Sequence, residues 1–479
     1  MEALAKPIKR SSLREQLFDE PGMLSLFQRE LSAMAEEPLR VTRCRIRPSS
    51  RRHGSRAGRT RVVYQVTVEA PRGARWEHTV VATAPVSPDF LGPELLHLSR
   101  AAGEHPAARP FTQLAAYVTD LEMALLILPV DPALPGLVQI TGPDRGRLLR
   151  RHLKDCHDAI VRRADWTIRR YIPARRCELV FTIATEAGGE LTKRDVRVYV
   201  FSDDRGRAHH ENMEALWPLV RGSEYLRIAQ PLGYDPDHRL LFTASAGRGV
   251  LGRWVRRIER DKPLPAGVDL QRVRQCVATA ARALGELQRA DLSPVEDRTY
   301  RGELAPLHRK VGMMRSAHAG AAPDFERLLE TLGAQPIGEE KLVPAHGRFG
   351  PDRFAGAKDN LVILDWGRMC LASPALDAAS FLARLRCGHL CGPKRGRGIE
   401  HLADLFRREF LAGDPAVTPT ELAAYEALLL ARQAVRIARR PARRGGAATR
   451  RVRRLIQAAL QQFEGPEPRY NGSRIEPHP

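Results

Sequence analysis

Between Ala164 and Ser245 the chain alternates extended and helical segments in an order that leaves little choice of fold. ADWTIRRYIPARRCELVFTIATE gives two strands split at Pro173. A Gly188-Gly189 turn leads to a third strand in DVRVYVFSDD. Ala208–Val220 then reads as a helix with Met213, Leu216 and Leu219 on one face. LRIAQPLGYDPDHRLLFTAS adds two more strands around a Gly-Tyr-Asp-Pro turn. Such a series makes a twisted antiparallel sheet with one helix laid across it.

After a linker over 247–254 the pattern turns helical. Residues 269–290 carry Val273, Cys276, Val277, Ala280, Leu284 and Leu287 at helical spacing, a buried stripe. Further helices are expected over 303–333, 399–412, 419–440 and 447–463, and the Pro-rich tail from Gly465 reads as disordered. Upstream, residues 10–36 read as an amphipathic helix interrupted at Pro21-Gly22. Residues 40–47 and 61–69 alternate as a strand pair joined by an Arg-rich loop, LEMALLILPVDPALPGL as a buried strand leaving through a Pro turn, and 143–165 as a basic helix. The expected class is α+β, divided into an N-terminal α+β region (1–165), a sheet-rich lobe (166–246), a helical lobe (247–464) and a tail (465–479).

A length of 479 residues accommodates two or three domains, and 43% hydrophobic content supplies a core. Seven scattered cysteines fit a reducing compartment better than a disulfide scaffold. The pair Cys387 and Cys391 has no second pair to complete a zinc site. No apolar run is long enough to span a membrane and the N-terminus lacks a secretory h-region, so the expectation is a soluble, cytoplasmic protein. The net charge of +21 favours polyanionic partners, although arginine is scattered along the whole chain. Its densest run includes Arg432, Arg436, Arg439, Arg440, Arg443, Arg444, Arg450, Arg451, Arg453 and Arg454, a solvated face or a surface for an acidic partner.

The chemistry is concentrated in Leu342–Leu385, which reads as a His346-Gly347 turn, a loop, a strand delivering Asp365 and a turn into a helix carrying Asp377. That is the outline of a phosphoryl-transfer site. HGRFGPDR, VILDWG and ASPALDAASFLARL together resemble the aminoglycoside and choline phosphotransferase family, as do YIPARRCELVF, PLGYDPDHRLLFTAS and LPVDPALPGL upstream. The resemblance covers about residues 120–440 and implies a bilobal protein-kinase-like fold, with ATP and Mg²⁺ as cofactors and a small-molecule hydroxyl as acceptor.

The charged positions depart from the family pattern. Where the family keeps its catalytic Asp, this chain has Arg348, which accepts no proton at physiological pH. The family's metal-holding Asn or Gln is matched by Arg353; its metal-chelating Asp is present as Asp365. Gly-Asp-Pro has become Ala372-Ser373-Pro374, and Gln288 stands where a polar helix residue is expected. The strand lysine that grips ATP phosphates falls at Arg197 or Tyr199, with Glu211 or Glu214 as its helix partner. His346 is expected to brace the loop, and Asp377 to cap its helix or bond the loop backbone. Asp365 has Arg348, Arg353 and Arg368 as possible partners; at ~4 Å and an effective dielectric of about 20, one such pair is worth about 4 kcal/mol of raw attraction.

Three functions follow. The first is a catalytically impaired phosphotransferase-like protein that binds a nucleotide or anionic metabolite in the interlobe cleft. The second is an active small-molecule kinase with a relocated carboxylate, Asp352 or Asp377 serving in place of the missing one. The third is a polyanion-binding scaffold using 432–454. The basic large lobe argues against a polycationic aminoglycoside as substrate.

Overall fold

The computed structural model describes residues 10–47, 55–56, 59–103, 105, 108–153, 160–187, 190–247, 249–294, 296–337, 341–356, 361–391, 397–413, 417–439 and 446–463. Arg440, Arg443, Arg444, the Gly188-Gly189 turn, most of the Arg-rich loop and the C-terminal tail lie outside them. The chain divides into two units, Met1–His210 with Pro231–Ser245, and Glu211–Gln230 with Ala246–Pro479.

In the first unit, the expected N-terminal helix is two helices, Arg10–Phe18 and Glu20–Ala33. The break falls at Asp19, whose carboxylate accepts from the Gly22 N–H at 3.2 Å and caps the second helix just ahead of Pro21. An antiparallel sheet follows from β1 (Arg40–Ile46), β2 (Ser55–Arg56), β3 (Arg59–Glu69), β4 (Arg75–Ala84), β5 (Ala115–Val118) and β6 (Met123–Ile127). Its order is β1-β3-β4-β6-β5, with β2 paired to β3.

A second antiparallel sheet comprises β7 (Ile160–Ile172), β8 (Arg176–Ala187), β9 (Glu190–Phe201), β10 (Pro231–Asp235) and β11 (Leu240–Ala244), ordered β10-β11-β9-β8-β7. The basic helix expected over 143–165 ends at His152, and residues 160–165 are instead the start of β7, paired from Ile160 opposite Glu186. On β9, Val196, Val198 and Val200 point into a core shared by both sheets, together with Phe27, Tyr64 and Leu125. Period-2 alternation turns Arg197, Tyr199 and Phe201 to the opposite face.

The LPVDPALPGL segment fastens the second sheet at one end. Buried Asp131 accepts from the Tyr171 hydroxyl at 2.7 Å and from the Ala174 N–H at 2.8 Å, so it holds the β7–β8 turn. At the neighbouring β10–β11 turn, Asp235 lies 2.9 Å from His238 Nδ1 and 3.3 Å from His152 Nε2.

The second unit is mainly helical, which gives the α+β class expected. Residues 247–254, expected as a linker, run into the helix Leu251–Glu259, because Leu251, Trp254 and Val255 bury one face of it. Helices Leu270–Gln288, Tyr300–His308, Val311–Ala317, Ala322–Gly333, Pro374–Cys391, Arg397–Gly413, Pro419–Ala438 and Gly446–Leu460 surround a core that contains Phe325, Trp366, Phe381, Phe406 and Tyr425. Two small sheets sit among them: Asp297–Arg298 with Cys370–Ala372 and Val343–Ala345, and the hairpin Phe354–Ala355 with Val362–Ile363. No described helix is long and apolar enough to cross a membrane.

Candidate functional site

Site geometry begins with Gly347. Its φ of +71° lies in the left-handed region, and a Cβ there would run into the Arg368 carbonyl. The loop is then fixed from three sides. Fully buried Asp377 accepts from the backbone N–H groups of His346 (2.5 Å), Gly347 (3.2 Å) and Phe349 (3.2 Å). Of the two roles expected for Asp377, the loop-backbone role is thus the one its contacts express. Helix capping falls to Ser373, whose hydroxyl accepts from the Ala375 N–H at 3.1 Å. On another side, Arg298 donates to the Gly347 carbonyl at 2.7 Å and pairs with Glu303 at 2.9 Å. Further along the loop, the Ser380 hydroxyl donates to the Phe349 carbonyl at 2.8 Å.

His346 is wholly buried. Its Nδ1 accepts from the Arg348 backbone N–H at 3.2 Å, so Nε2 carries the proton and donates to the Leu364 carbonyl at 3.0 Å. Burial holds its pKa below the ordinary imidazole value despite Asp377 nearby. A neutral imidazole with both nitrogens engaged braces the loop.

The hairpin Phe354–Ala355/Val362–Ile363 brings Arg353 beside Asp365. Arg353, 6% exposed, places Nη1 3.1 Å from Asp365 Oδ2 and Nη2 3.5 Å from Asp352 Oδ2. Arg384 donates to Asp352 Oδ1 at 2.8 Å. Burial pulls against the Asp352 charge, but Arg353 and Arg384 outweigh it and hold its pKa below the carboxylate range. Asp365 itself has φ +75°, a left-handed conformation uncommon outside glycine. Next to it, Trp366 donates its indole N–H to the Ile363 carbonyl at 3.0 Å. Arg348 is part-buried, and burial first, then Arg353, lower its pKa to about 10.

The structure thus collects His346, Arg348, Asp352, Arg353 and Asp365 in one place. Arg197 and Tyr199 lie on β9 of the first unit, where Arg197 Nη1 is 3.5 Å from Glu178 Oε1 and 3.4 Å from the Tyr199 hydroxyl. Tyr199 stacks near Phe201 and makes a tilted ring contact with His209. Glu211 and Glu214 are exposed on the helix Arg205–Val220. Gln288 donates to the Pro374 carbonyl at 2.8 Å, a helix-anchoring role. Among the described residues no group of three or more His, Cys, Asp or Glu could hold a metal ion. Of the basic run, Arg432 is ion-paired to Glu303 and Arg453 to Asp324. Sequence reasoning missed Arg384 and Arg298; Arg384 stands seven residues after Asp377, two turns along the same helix, which was a usable signal.

A model of the phosphotransferase enzyme family (APH) matches residues 190–425. This part of the chain belongs to that family. The match to the phosphotransferase family starts at the first residue of β9 and takes in the whole loop site. Among solved structures, a choline kinase from Cryptosporidium parvum Iowa II is similar at 10% identity and a TM-score of 0.43, over 66% of this chain and 93% of that one. A macrolide 2'-phosphotransferase from Brachybacterium faecium is similar at 15% identity and a TM-score of 0.40, over 68% and 98%. An amicoumacin kinase in complex with AMP-PNP, Ca²⁺ and Ami is similar at 10% identity and a TM-score of 0.41, over 62% and 88%. No curated protein matches the chain.

Proposed function

We propose that this phosphotransferase-family protein is catalytically impaired and binds a nucleotide or another anionic metabolite without transferring phosphate. One observation carries the reading: the 3.1 Å ion pair of buried Arg353 with Asp365, the single carboxylate left from the family's metal set. Divalent metals in phosphoryl-transfer sites need one or two free carboxylates, and positive neighbours repel them. With Asp365 neutralised and Arg348 alongside, the residues present do not fit Mg²⁺. Nor does the loop hold a general base: His346 is committed at both nitrogens. Asp352, between Arg353 and Arg384, is too weakly basic to replace the missing Asp. The reading of an active kinase with a relocated carboxylate therefore loses to the impaired one. A polyanion scaffold loses ground as well, since Arg432 and Arg453 already have carboxylate partners.

Two measurements on the full chain test it. A thermal-shift titration with ATP, with Mg²⁺ and with EDTA, is expected to show the same stabilisation in both. ATP hydrolysis is expected to stay at background with any hydroxyl acceptor. Mg²⁺-dependent turnover that disappears in Asp365→Ala defeats the proposal.

A further inference from the structure

We infer that Arg348 anchors a metal-free oxyanion site on the His346–Arg353 loop, built to take a phosphoryl group. This rests on the reading above, that no metal occupies the centre, and names the group that takes its place. Among the described residues, five ionised side chains meet at the loop: Arg348, Arg353, Arg384, Asp352 and Asp365. Both carboxylates are taken, Asp365 by Arg353 at 3.1 Å and Asp352 by Arg384 at 2.8 Å. Three cations against two anions leave one positive charge, and the cation without a carboxylate within ion-pair distance among the described residues is Arg348.

An unpaired guanidinium that is part-buried carries a desolvation cost unless an anion joins it. Its lowered pKa, to about 10, has the same origin, burial and the neighbouring Arg353, and agrees with a site short of negative charge. Its backbone is held by the bond from its N–H to His346 Nδ1 at 3.2 Å. A second sign of missing acceptors is Arg353, whose Nε is buried and has no hydrogen-bond partner. The planar fork of arginine matches the tetrahedral oxygens of a phosphoryl group, and needs no metal to do so. In place of a carboxylate that holds metal, which in turn holds phosphate, the loop offers a cation that holds phosphate directly.

The test is calorimetry on the full-length chain with inorganic phosphate, AMP and acetate, in EDTA and at constant ionic strength made up with chloride. Wild type is expected to bind phosphate and AMP saturably, with acetate at least tenfold weaker. Arg348→Gln is expected to weaken phosphate at least tenfold. Arg348→Lys, which keeps the charge but loses the fork, is expected to fall between the two, and it secures the result should the glutamine variant fold poorly. Equal phosphate affinity in wild type and both variants overturns the assignment, as does equal affinity for acetate and phosphate. Failure here is distinguishable from failure of the functional reading: the latter shows as Mg²⁺-dependent turnover, whereas this test contains no metal and no transferable phosphate.

Discussion

Arg353→Asn converts the centre's occluding cation into the residue type that the family resemblance places there, and its effect can be worked from the structure. The guanidinium and the Asp365 carboxylate lie 3.1 Å apart. At that distance and an effective dielectric of about 20 the raw attraction is about 5 kcal/mol. Desolvation of Arg353 cancels part of this, and the Asp365 side chain, 21% exposed, recovers some hydration once freed. A net loss of about 2–3 kcal/mol in metal-free buffer is the expected cost. The compensation is an accessible carboxylate. With about 10 mM Mg²⁺ and a site of about 1 mM affinity, linkage returns about 1.4 kcal/mol. For a unit of this size that is a rise of roughly 3–5 °C in Tm. Differential scanning calorimetry with Mg²⁺ against EDTA reads it: no difference for wild type, a rise for Arg353→Asn, and no rise for Arg353→Asn combined with Asp365→Ala. A Mg²⁺ shift of equal size in wild type refutes the reasoning, because it means that the ion pair does not occlude the carboxylate.

Two further outcomes are expected. Asp131→Ala strips the acceptor from the Tyr171 hydroxyl and the Ala174 N–H and is expected to cost about 2–4 kcal/mol in urea denaturation, with faster amide exchange at Ala174; Tyr171→Phe, which leaves the Ala174 bond in place, costs about 1 kcal/mol, and equal losses in the two variants contradict the brace. His78, 5% exposed and packed on Phe111, has its pKa lowered to about 4 by burial, so as pH falls the unfolded chain takes up this proton first. Stability is therefore full above about pH 6.5 and is lost between there and about pH 4, by on the order of 3 kcal/mol from this group. His78→Leu is expected to flatten that part of the profile; an unchanged slope refutes the assignment.

The long helices and the strands of the second sheet were legible because each has one buried face at a clean period. Where the period breaks, so did the reading. Residues 160–165 looked helical because β7 carries register shifts at Val161/Arg163 and Ile168/Arg170, which erase strict alternation in the sequence. The helix Leu251–Glu259 was visible in principle, with Leu251, Trp254, Val255 and Ile258 at helical spacing, but the preceding Gly247 and Gly249 drew it into a linker. In the site, the sequence left Asp365 open to Arg348, Arg353 or Arg368. Only the small hairpin decides, because the bond from the Leu364 N–H to the Arg353 carbonyl sets their register at 2.9 Å. The Asp131 brace had no local signature: its partners stand 40 and 43 residues away.

What holds the loop in shape is separate from what reads its charge. The Asp377 bonds to three backbone N–H groups, the neutral His346 between the Arg348 amide and the Leu364 carbonyl, and the left-handed Gly347 involve no side chain at 348 or 353. The backbone of Asp365 is also left-handed, a conformation that costs on the order of 1 kcal/mol or more and holds only where the surroundings over-determine it. The carboxylate that this backbone presents meets the Arg353 guanidinium at 3.1 Å. Charge at the loop's tips can change without disturbing the frame. Hence substitutions at Arg348 are expected to act mainly on ligand preference and those at Asp377, Gly347 or His346 mainly on folding, while Arg353, buried and ion-paired to Asp365, is expected to move both stability and binding.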